Sequence, residues 1–322
     1  PCPPSAPPLT PTLALRRLPR APKGYTAVDV VTADAGGGLP LQRIRERYTQ
    51  KNLPVLLRPS PDAGCHRRGG ASSNRLPAAQ QQRVLAHEVS VRVNSIRRPY
   101  LSAQVFGGSA DETSGDFYPT TTLPWGDFLA AGRSGGGPAV CAQGCYAARV
   151  SLADELPELG GLLPAADAHP LAITVGEPYP GAPVGYAGHG RGEATPIHFD
   201  EEENWLFVLR GHKRAVLYEP HTATDGRLPR HPVYRTTSEV PPHSEGEREV
   251  VEAEWPGLAG ARPLYVNVSR GEALYIPAFW WHGIAAFADP EPEDGEECAG
   301  SVLGAGLEGL ERVVPAAMSV AY

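Results

Sequence analysis

The second half of the chain is a succession of short apolar segments separated by turn-forming residues, and this pattern narrows the choice of fold most. Such a series, following a start of mixed character, is typical of a β-sandwich or barrel. We therefore expect a mostly β protein, with a hairpin at Leu209-Arg-Gly-His-Lys213. The expected strands lie at 171–175, 195–200, 205–210, 214–218, 264–268, 273–276 and 280–285.

The first half of the chain predicts a different organisation. Residues 1–25 are rich in proline and lack hydrophobic periodicity, so we expect a disordered tail. Residues 26–138 read as an α+β region that packs on the core. Leu41, Ile44 and Tyr48 recur at helical spacing. Further elements are expected as strands at 54–58, 88–93 and 139–150 and as helices at 122–131 and 151–163.

Charge and cysteine content restrict the partners and the compartment. The net charge of -7 and the pI of about 5.8 make nucleic acid an unlikely partner, because a phosphate backbone is bound mainly by clustered Lys and Arg. No apolar run approaches the roughly 20 residues that span a bilayer. The five cysteines are scattered, which favours a reducing compartment, cytoplasmic or nuclear. Cys141 and Cys145 on a strand would stand about 13 Å apart, too far for a disulfide.

Two histidines and one aspartate form a candidate metal site. His198 and Asp200 stand two residues apart in Thr195-Pro-Ile-His-Phe-Asp200, so on a strand they would project from the same face. His282 would join them from a distant strand. Two imidazoles and one carboxylate hold ferrous iron on one face and leave the other face open. A His-x-Asp tripeptide alone also arises by chance among ten histidines, and a surface His and Asp would then be the simpler interpretation.

The surroundings of the triad favour the metal site. From Thr195 the chain reads Thr-Pro-x-His-x-Asp, then Asn204 six residues after the His, then Gly-x-Lys ending at Lys213. The block Gly-Glu-x-Leu-Tyr-Ile-Pro-x-x-Trp-Trp-His follows and ends at His282, and Tyr146-Ala-Ala-Arg-Val-Ser-Leu-Ala-Asp-Glu-Leu-Pro-Glu-Leu159 stands upstream. As an ordered set these blocks resemble the JmjC family of cupin-fold 2-oxoglutarate oxygenases, most of all its small protein hydroxylases.

The resemblance implies a fold, a set of cofactors and a site. The fold is a double-stranded β-helix (jelly-roll, cupin) core over residues 139–322, with N-terminal helical decoration. An acidic loop insert at about 287–300 departs from the family, in which a short loop is usual there. The cofactors are Fe(II), with 2-oxoglutarate as cosubstrate, and O2. His198, Asp200 and His282 would be the metal ligands and the catalytic centre. The far carboxylate of 2-oxoglutarate would meet Lys213, Thr195 and Tyr146, while Asn204 would line the site.

The resemblance leaves several functions open. The first is a dioxygenase that hydroxylates a side chain of a protein or peptide substrate, releasing succinate and CO2. The second is N-methyl-lysine demethylation by the same chemistry. RNA hydroxylation is a third, disfavoured by the acidic pI, and a catalytically inactive cupin-fold binding protein is an alternative from another class. A homodimer of the full-length protein also stays open.

Overall fold

The protein is mostly β. The computed structural model describes residues 27–34, 38–60, 76–93, 120–131, 137–141, 145–160, 184–232, 235–288 and 317–321. The expected proline-rich tail, the strand at 171–175 and nearly all of the acidic insert lie outside the described residues, so they stay predictions.

The elements begin and end as follows. The strands are β1 (Asp29–Thr32), β2 (Val55–Arg58), β3 (Glu88–Val93), β4 (Thr120–Pro124), β5 (Cys145–Ser151), β6 (Val184–Gly188), β7 (Arg191–Ala194), β8 (Asn204–Arg210), β9 (His212–Tyr218), β10 (Leu264–Ser269), β11 (Ala273–Ile276), β12 (Trp281–Phe287) and β13 (Ala317–Ala321). The helices are α1 (Leu41–Arg47), α2 (Ala78–Ala86), α3 (Trp125–Ala131), α4 (Pro157–Gly160), α5 (His221–Thr224) and α6 (Arg248–Glu254). Single 3-10 turns lie at Thr49–Lys51, Ala139–Cys141, Glu245–Glu247 and Pro256–Leu258.

The described strands form two sheets that exchange strands along the chain. The small sheet has the order β10-β9-β12-β7, and the large sheet has the order β1-β2-β11-β8-β13-β6-β5-β3-β4. From β6 onward the chain passes repeatedly from one sheet to the other. Strands β9 and β12 of the small sheet contact β13 and β6 of the large sheet, so the two sheets face each other. This is the double-stranded β-helix that we expected.

The small sheet divides the interior into two clusters. Leu217 and Ile284 leave its inner face and join the large cluster between the sheets. Val216 and Trp281 alternate with them and point outward. There they pack beneath the segment from α5 to β10, which contributes Leu228 and other apolar side chains to a second cluster. One sheet therefore separates the interior of the barrel from a second apolar layer.

The N-terminal elements extend the large sheet as well as covering it. Strands β1 and β2 lie at one edge, and β5, β3 and β4 lie at the other. Helix α1 buries Ile44, and α3 buries Trp125 and Phe128. The indole Nε1 of Trp280 donates a hydrogen bond to the carbonyl oxygen of Asn52 at 2.9 Å, which joins this region to the block that ends at His282.

The expected hairpin around Gly211 and the expected start of one helix are wrong. Strands β8 and β9 belong to different sheets, so the turn around Gly211 carries the chain between sheets and does not close a hairpin. A helix from residue 122 was also expected, but Thr120–Pro124 pairs with β3 and the helix begins only at Trp125. Local turn signals do not reveal which sheet receives the next strand, because that depends on distant partners.

The expectation that Cys141 and Cys145 are unbonded is also wrong. The two residues form a disulfide, with their Cα atoms 5.0 Å apart. Cys141 ends a 3-10 turn and β5 begins only at Cys145, so the chain is not extended over 139–150 as expected. Disulfides persist in oxidising compartments, which removes the cysteine argument for a reducing one.

The location of the protein thus stays a prediction. No helix within the described residues combines the length and the apolar character required to span a membrane.

Candidate metal centre

His198, Asp200 and His282 converge on one point. His198 and His282 form an isolated bridge, in which the N–H of His198 donates to the carbonyl of His282 at 3.0 Å and the reverse bond measures 2.7 Å. This bridge brings the two ring centroids to 4.4 Å from each other. One potential ligand atom from each of the three residues lies within 4.8 Å of the others. The donor set and its closeness fit a single metal ion.

Backbone carbonyls orient both imidazoles. The Nδ1 of His198 lies 2.8 Å from the carbonyl oxygen of Pro196, and the Nδ1 of His282 lies 2.9 Å from that of Trp280. A carbonyl oxygen only accepts, so each Nδ1 must carry the proton. In the neutral form of each ring the Nε2 atom then carries the lone pair, and the two Nε2 atoms lie 3.9 Å and 3.6 Å from the Asp200 carboxylate oxygens. Such contacts fix the tautomer and orientation of metal-binding histidines.

The segment that carries His198 and Asp200 is not the strand that we expected. Strand β7 ends at Ala194, and residues 195–200 contain only the bridge at His198. Pro196 interrupts the regular pairing because it has no N–H to donate. The two side chains are nevertheless brought together, since His198 pairs with both His282 and Thr237 and is held from two sides.

The electrostatics of the three residues suit a cation. Burial alone would raise the pKa of the Asp200 carboxyl, but the two imidazoles and the Arg149 guanidinium outweigh burial and hold that pKa below its usual value. Burial, followed by the charge of His198, lowers the pKa of His282 to about 4. Asp200 is therefore ionised and His282 neutral at physiological pH, which are the states that bind metal.

Lys213 and Tyr146 lie together inside the barrel. Lys213 pairs with Ala286 on the inner face of the small sheet and is 0% exposed. Its Nζ lies 5.5 Å from the centroid of the Tyr146 ring and donates to the carbonyl oxygen of Tyr186 at 3.4 Å. Burial raises the pKa of Tyr146, so its hydroxyl keeps its proton. A buried ammonium beside a neutral phenol can meet an anionic group.

The structure gives Thr195 and Asn204 different surroundings. The Thr195 hydroxyl oxygen accepts a hydrogen bond from the N–H of Ile284 at 3.2 Å, and its own proton points to the carbonyl of Ile284 at 3.5 Å. Both hydrogen bonds of that hydroxyl thus go to the backbone of Ile284 on β12. The Oδ1 of Asn204 is buried and has no hydrogen-bond partner among the described residues. An orphaned buried acceptor is costly, which fits an amide placed to receive a bound group.

Two residues that lie near the site, Arg149 and Glu193, were not identified from the sequence. Arg149 is exposed and carries a left-handed φ of 58° where the pairing of β5 with β6 shifts register. A β-bulge changes the direction of the side chain it carries. No feature of the sequence indicated the bulge at Arg149. Glu193 is fully buried on β7. The sequence signal that could have revealed Glu193 is an acidic residue two positions before Thr195, in a segment that leads into the barrel.

Parts of this chain are similar to known proteins. A family model described as a cupin-like domain matches residues 41–298. The tRNA wybutosine-synthesizing protein 5 of Gallus gallus is 31% identical over 87 residues, which are 27% of this chain and 24% of that protein. The JmjC domain-containing protein 8 of Rattus norvegicus is 34% identical over 104 residues, which are 32% of each chain. The chain thus spans about a quarter to a third of the length of these curated relatives.

The family match and the fold agree. The matched residues include every strand of the double-stranded β-helix except β13, together with the three converging side chains. The chain therefore belongs to the cupin-like (JmjC) domain family.

Proposed function

We propose that the protein is an Fe(II)- and 2-oxoglutarate-dependent dioxygenase that hydroxylates a side chain of a protein or peptide substrate. One observation carries the proposal: the inner face of the small sheet presents both a metal-ligand histidine and a buried lysine. His282 on β12 and Lys213 on β9 leave that face, and His198 and Asp200 stand beside His282. A metal triad and a separate cation in one barrel suit a cosubstrate with two carboxylates.

Each residue has a distinct role in this proposal. His198, Asp200 and His282 would hold the iron, which supplies the activation of O2 when bound. Lys213 would meet the far carboxylate of 2-oxoglutarate, because a buried carboxylate is unfavourable without a cation beside it. The protonated hydroxyl of Tyr146 would donate a hydrogen bond to the same carboxylate.

Thr195 and Asn204 complete the proposed pocket in different ways. The hydroxyl of Thr195 holds the backbone of β12 next to His282, so its contact with the cosubstrate would require giving up that bond. Asn204 has a free buried amide oxygen and can accept from a bound water or from the substrate. Apolar residues such as Ile284 and Leu217 line the same face and keep bulk water out. Exclusion of water strengthens the electrostatic contacts of the bound cosubstrate.

The overall reaction balances without a further reductant. One oxygen atom of O2 enters a C–H bond of the substrate and the other enters succinate, while the carboxylate next to the keto group of 2-oxoglutarate leaves as CO2. The resemblance of the ordered motif blocks to small JmjC protein hydroxylases supports a protein side chain as the target. The net charge of -7 argues against a tRNA substrate of the kind named for the Gallus gallus relative.

Turnover of 2-oxoglutarate tests the reaction class. We expect the purified protein with Fe(II) and O2 to convert 2-oxoglutarate to succinate even without added substrate. The matched control is Asp200→Ala, which removes one ligand and should show only background conversion. Background conversion by both proteins would support the inactive cupin-fold alternative, and equal conversion above background would show that the triad does not carry the activity.

Mass spectrometry tests the substrate class. Peptides from a cell lysate, incubated with the enzyme, Fe(II) and 2-oxoglutarate, should gain the mass of one oxygen atom. Loss of a methylene from methylated lysine would instead identify the demethylase alternative. Added oxygen on RNA with unchanged peptides would identify the RNA alternative.

A further inference from the structure

A buried glutamate shares the pocket that contains Lys213. Glu193 lies on β7 and is 0% exposed. Its Oε1 accepts a hydrogen bond from the N–H of His189 at 3.1 Å. Its Oε2 accepts from the N–H of Gly190 at 3.1 Å and from that of Arg191 at 3.0 Å. These bonds fix the carboxylate at the turn between β6 and β7 and offset part of the cost of burying its charge.

The register of the small sheet places Glu193 and Lys213 in one row. Glu193 from β7 and Lys213 from β9 both pair with Ala286 of β12. Directly opposed residues of antiparallel strands point to the same side, so both side chains enter the barrel. Ala286 is small and leaves the space between them open.

The ring of Tyr146 lies next to both Lys213 and Glu193. Lys213 Nζ lies 5.5 Å from its centroid. A Cβ built on Gly188 would lie 3.0 Å from Glu193 Oε2 and 3.3 Å from Tyr146 Cδ2, so the carboxylate and the ring flank the same glycine. The missing side chain at Gly188 is thus what lets the carboxylate approach the ring.

We infer that Glu193 is a positioning residue of the cosubstrate pocket, whose carboxylate keeps Lys213 protonated before 2-oxoglutarate arrives and so sets the pH range in which the cosubstrate binds. The inference rests on the proposed function, because it takes Lys213 as the partner of the cosubstrate carboxylate. Glu193 does not itself contact the reacting atoms in this assignment.

Among the described groups, Glu193 is the charge that opposes the effect of burial on the pKa of Lys213. Asp200 is also ionised, but its carboxylate lies beside His198 and His282, and the nearby Arg92 and Arg149 are positive. Strands β5 and β6 contribute Tyr146 and Tyr186, and burial raises the pKa of both, so their hydroxyls are neutral at physiological pH. His282 faces the same interior further along β12 and is neutral as well. Strands β10, β12 and β13 add the uncharged residues Val268, Ala286 and Ser319.

The pH range follows from the balance of two effects on Lys213. Burial lowers its pKa to about 7, and the negative charge of Glu193 opposes that effect. Lys213 is charged below this pKa and neutral above it. Anion binding through Lys213 should therefore be strongest below about pH 7. Above that pH it should weaken by up to about tenfold per pH unit, since one proton must be taken up.

The test is the affinity for 2-oxoglutarate as a function of pH in the unaltered protein and in Glu193→Gln. Both are loaded with Fe(II), kept without O2 and titrated by calorimetry. Without the carboxylate, the pKa of Lys213 falls further, so the loss of affinity should begin at least about one pH unit lower. Glu193→Asp keeps the charge and should keep the midpoint near that of the unaltered protein.

A matched control separates the effect of the Glu193 charge from its effect on the structure of the turn between β6 and β7. Glu272 is also buried, at 5% exposed, and also accepts a turn N–H, from Ser269 at 2.8 Å, but it pairs with Arg58 and not with Lys213. Glu272→Gln should leave the midpoint unchanged. If Glu193→Gln weakens binding by the same factor at every pH, Glu193 only holds the turn between β6 and β7 and the inference is overturned. If the unaltered protein does not bind 2-oxoglutarate, the proposed function fails with it.

Discussion

On the two faces of the small sheet, side chains from the same strands serve different purposes: the inner face carries the candidate site and the outer face carries apolar packing. On β12, His282 points inward to the candidate metal centre while Trp281, the preceding residue, points outward into an apolar cluster with Phe199 and Val216. On β9, Lys213 enters the barrel while Arg214 stays exposed and stacks on Phe287. Because side chains alternate along a strand, residues of the proposed binding site and residues that stabilise the fold are neighbours in the sequence.

The difference between the faces is energetic. The outer face gains stability from aromatic burial, such as the edge-to-face contact of Trp281 with Phe199 at 4.8 Å. The inner face buries an ammonium and a carboxylate, which is costly unless bound groups or hydrogen bonds compensate. We expect outward substitutions to change stability and inward ones to change binding.

Trp281→Ala should produce the largest change in stability. The side chain is 0% exposed, and its loss leaves a cavity beneath the covering segment. The free energy of unfolding should fall by about 3–5 kcal/mol. Denaturant titration of the metal-free protein measures it, with His282→Ala as the neighbouring control. An equal loss from both substitutions would contradict the division between the faces.

Lys213→Ala should produce the largest change in cosubstrate binding. Removing one partner of a buried charge pair costs about 3–5 kcal/mol, so the 2-oxoglutarate requirement should rise by about a hundredfold or more. Succinate formation at increasing 2-oxoglutarate concentration measures it, while Fe(II) affinity should change little. Arg214→Ala is the matched control on the opposite face. An unchanged requirement in Lys213→Ala would mean that another group holds the carboxylate.

Gly283→Ala should give a smaller effect on the outer face. An added Cβ would lie 2.8 Å from Pro242 Cβ and 2.9 Å from Ile197 Cγ1, so the covering segment must shift. Overpacking of this kind costs about 1–3 kcal/mol. Thermal unfolding compares it with Gly246→Ala, where an added Cβ has only the Ser244 hydroxyl 4.0 Å away. Equal melting temperatures would show that the covering segment adapts freely.

Local patterns predicted the residue types of the site better than its surroundings. The convergence of His198, Asp200 and His282 was predicted because their motif blocks are contiguous and ordered. Strands such as Ala273–Ile276 were predicted correctly because apolar runs bounded by turns are local signals. The bridge at His198 replaced the expected strand because Pro196 interrupts pairing and Thr237 arrives from a distant loop.

Features that depend on a turn without periodicity, or on distant partners, were not predictable. The Cys141–Cys145 bond requires a turn that periodicity does not show. The row of Glu193, Ala286 and Lys213 depends on the register of three strands that are far apart in sequence. Sequence spacing alone does not set that register, since each strand finds its partner only when the barrel closes.

The binding of Fe(II) tests the central claim most directly. Calorimetric titration without O2 should show one Fe(II) per chain in the unaltered protein. Asp200→Ala should lose that binding while its far-ultraviolet circular dichroism stays unchanged, because Asp200 faces the site and is not part of either apolar cluster. Equally tight binding by Asp200→Ala, or no binding by the unaltered protein, would contradict the account.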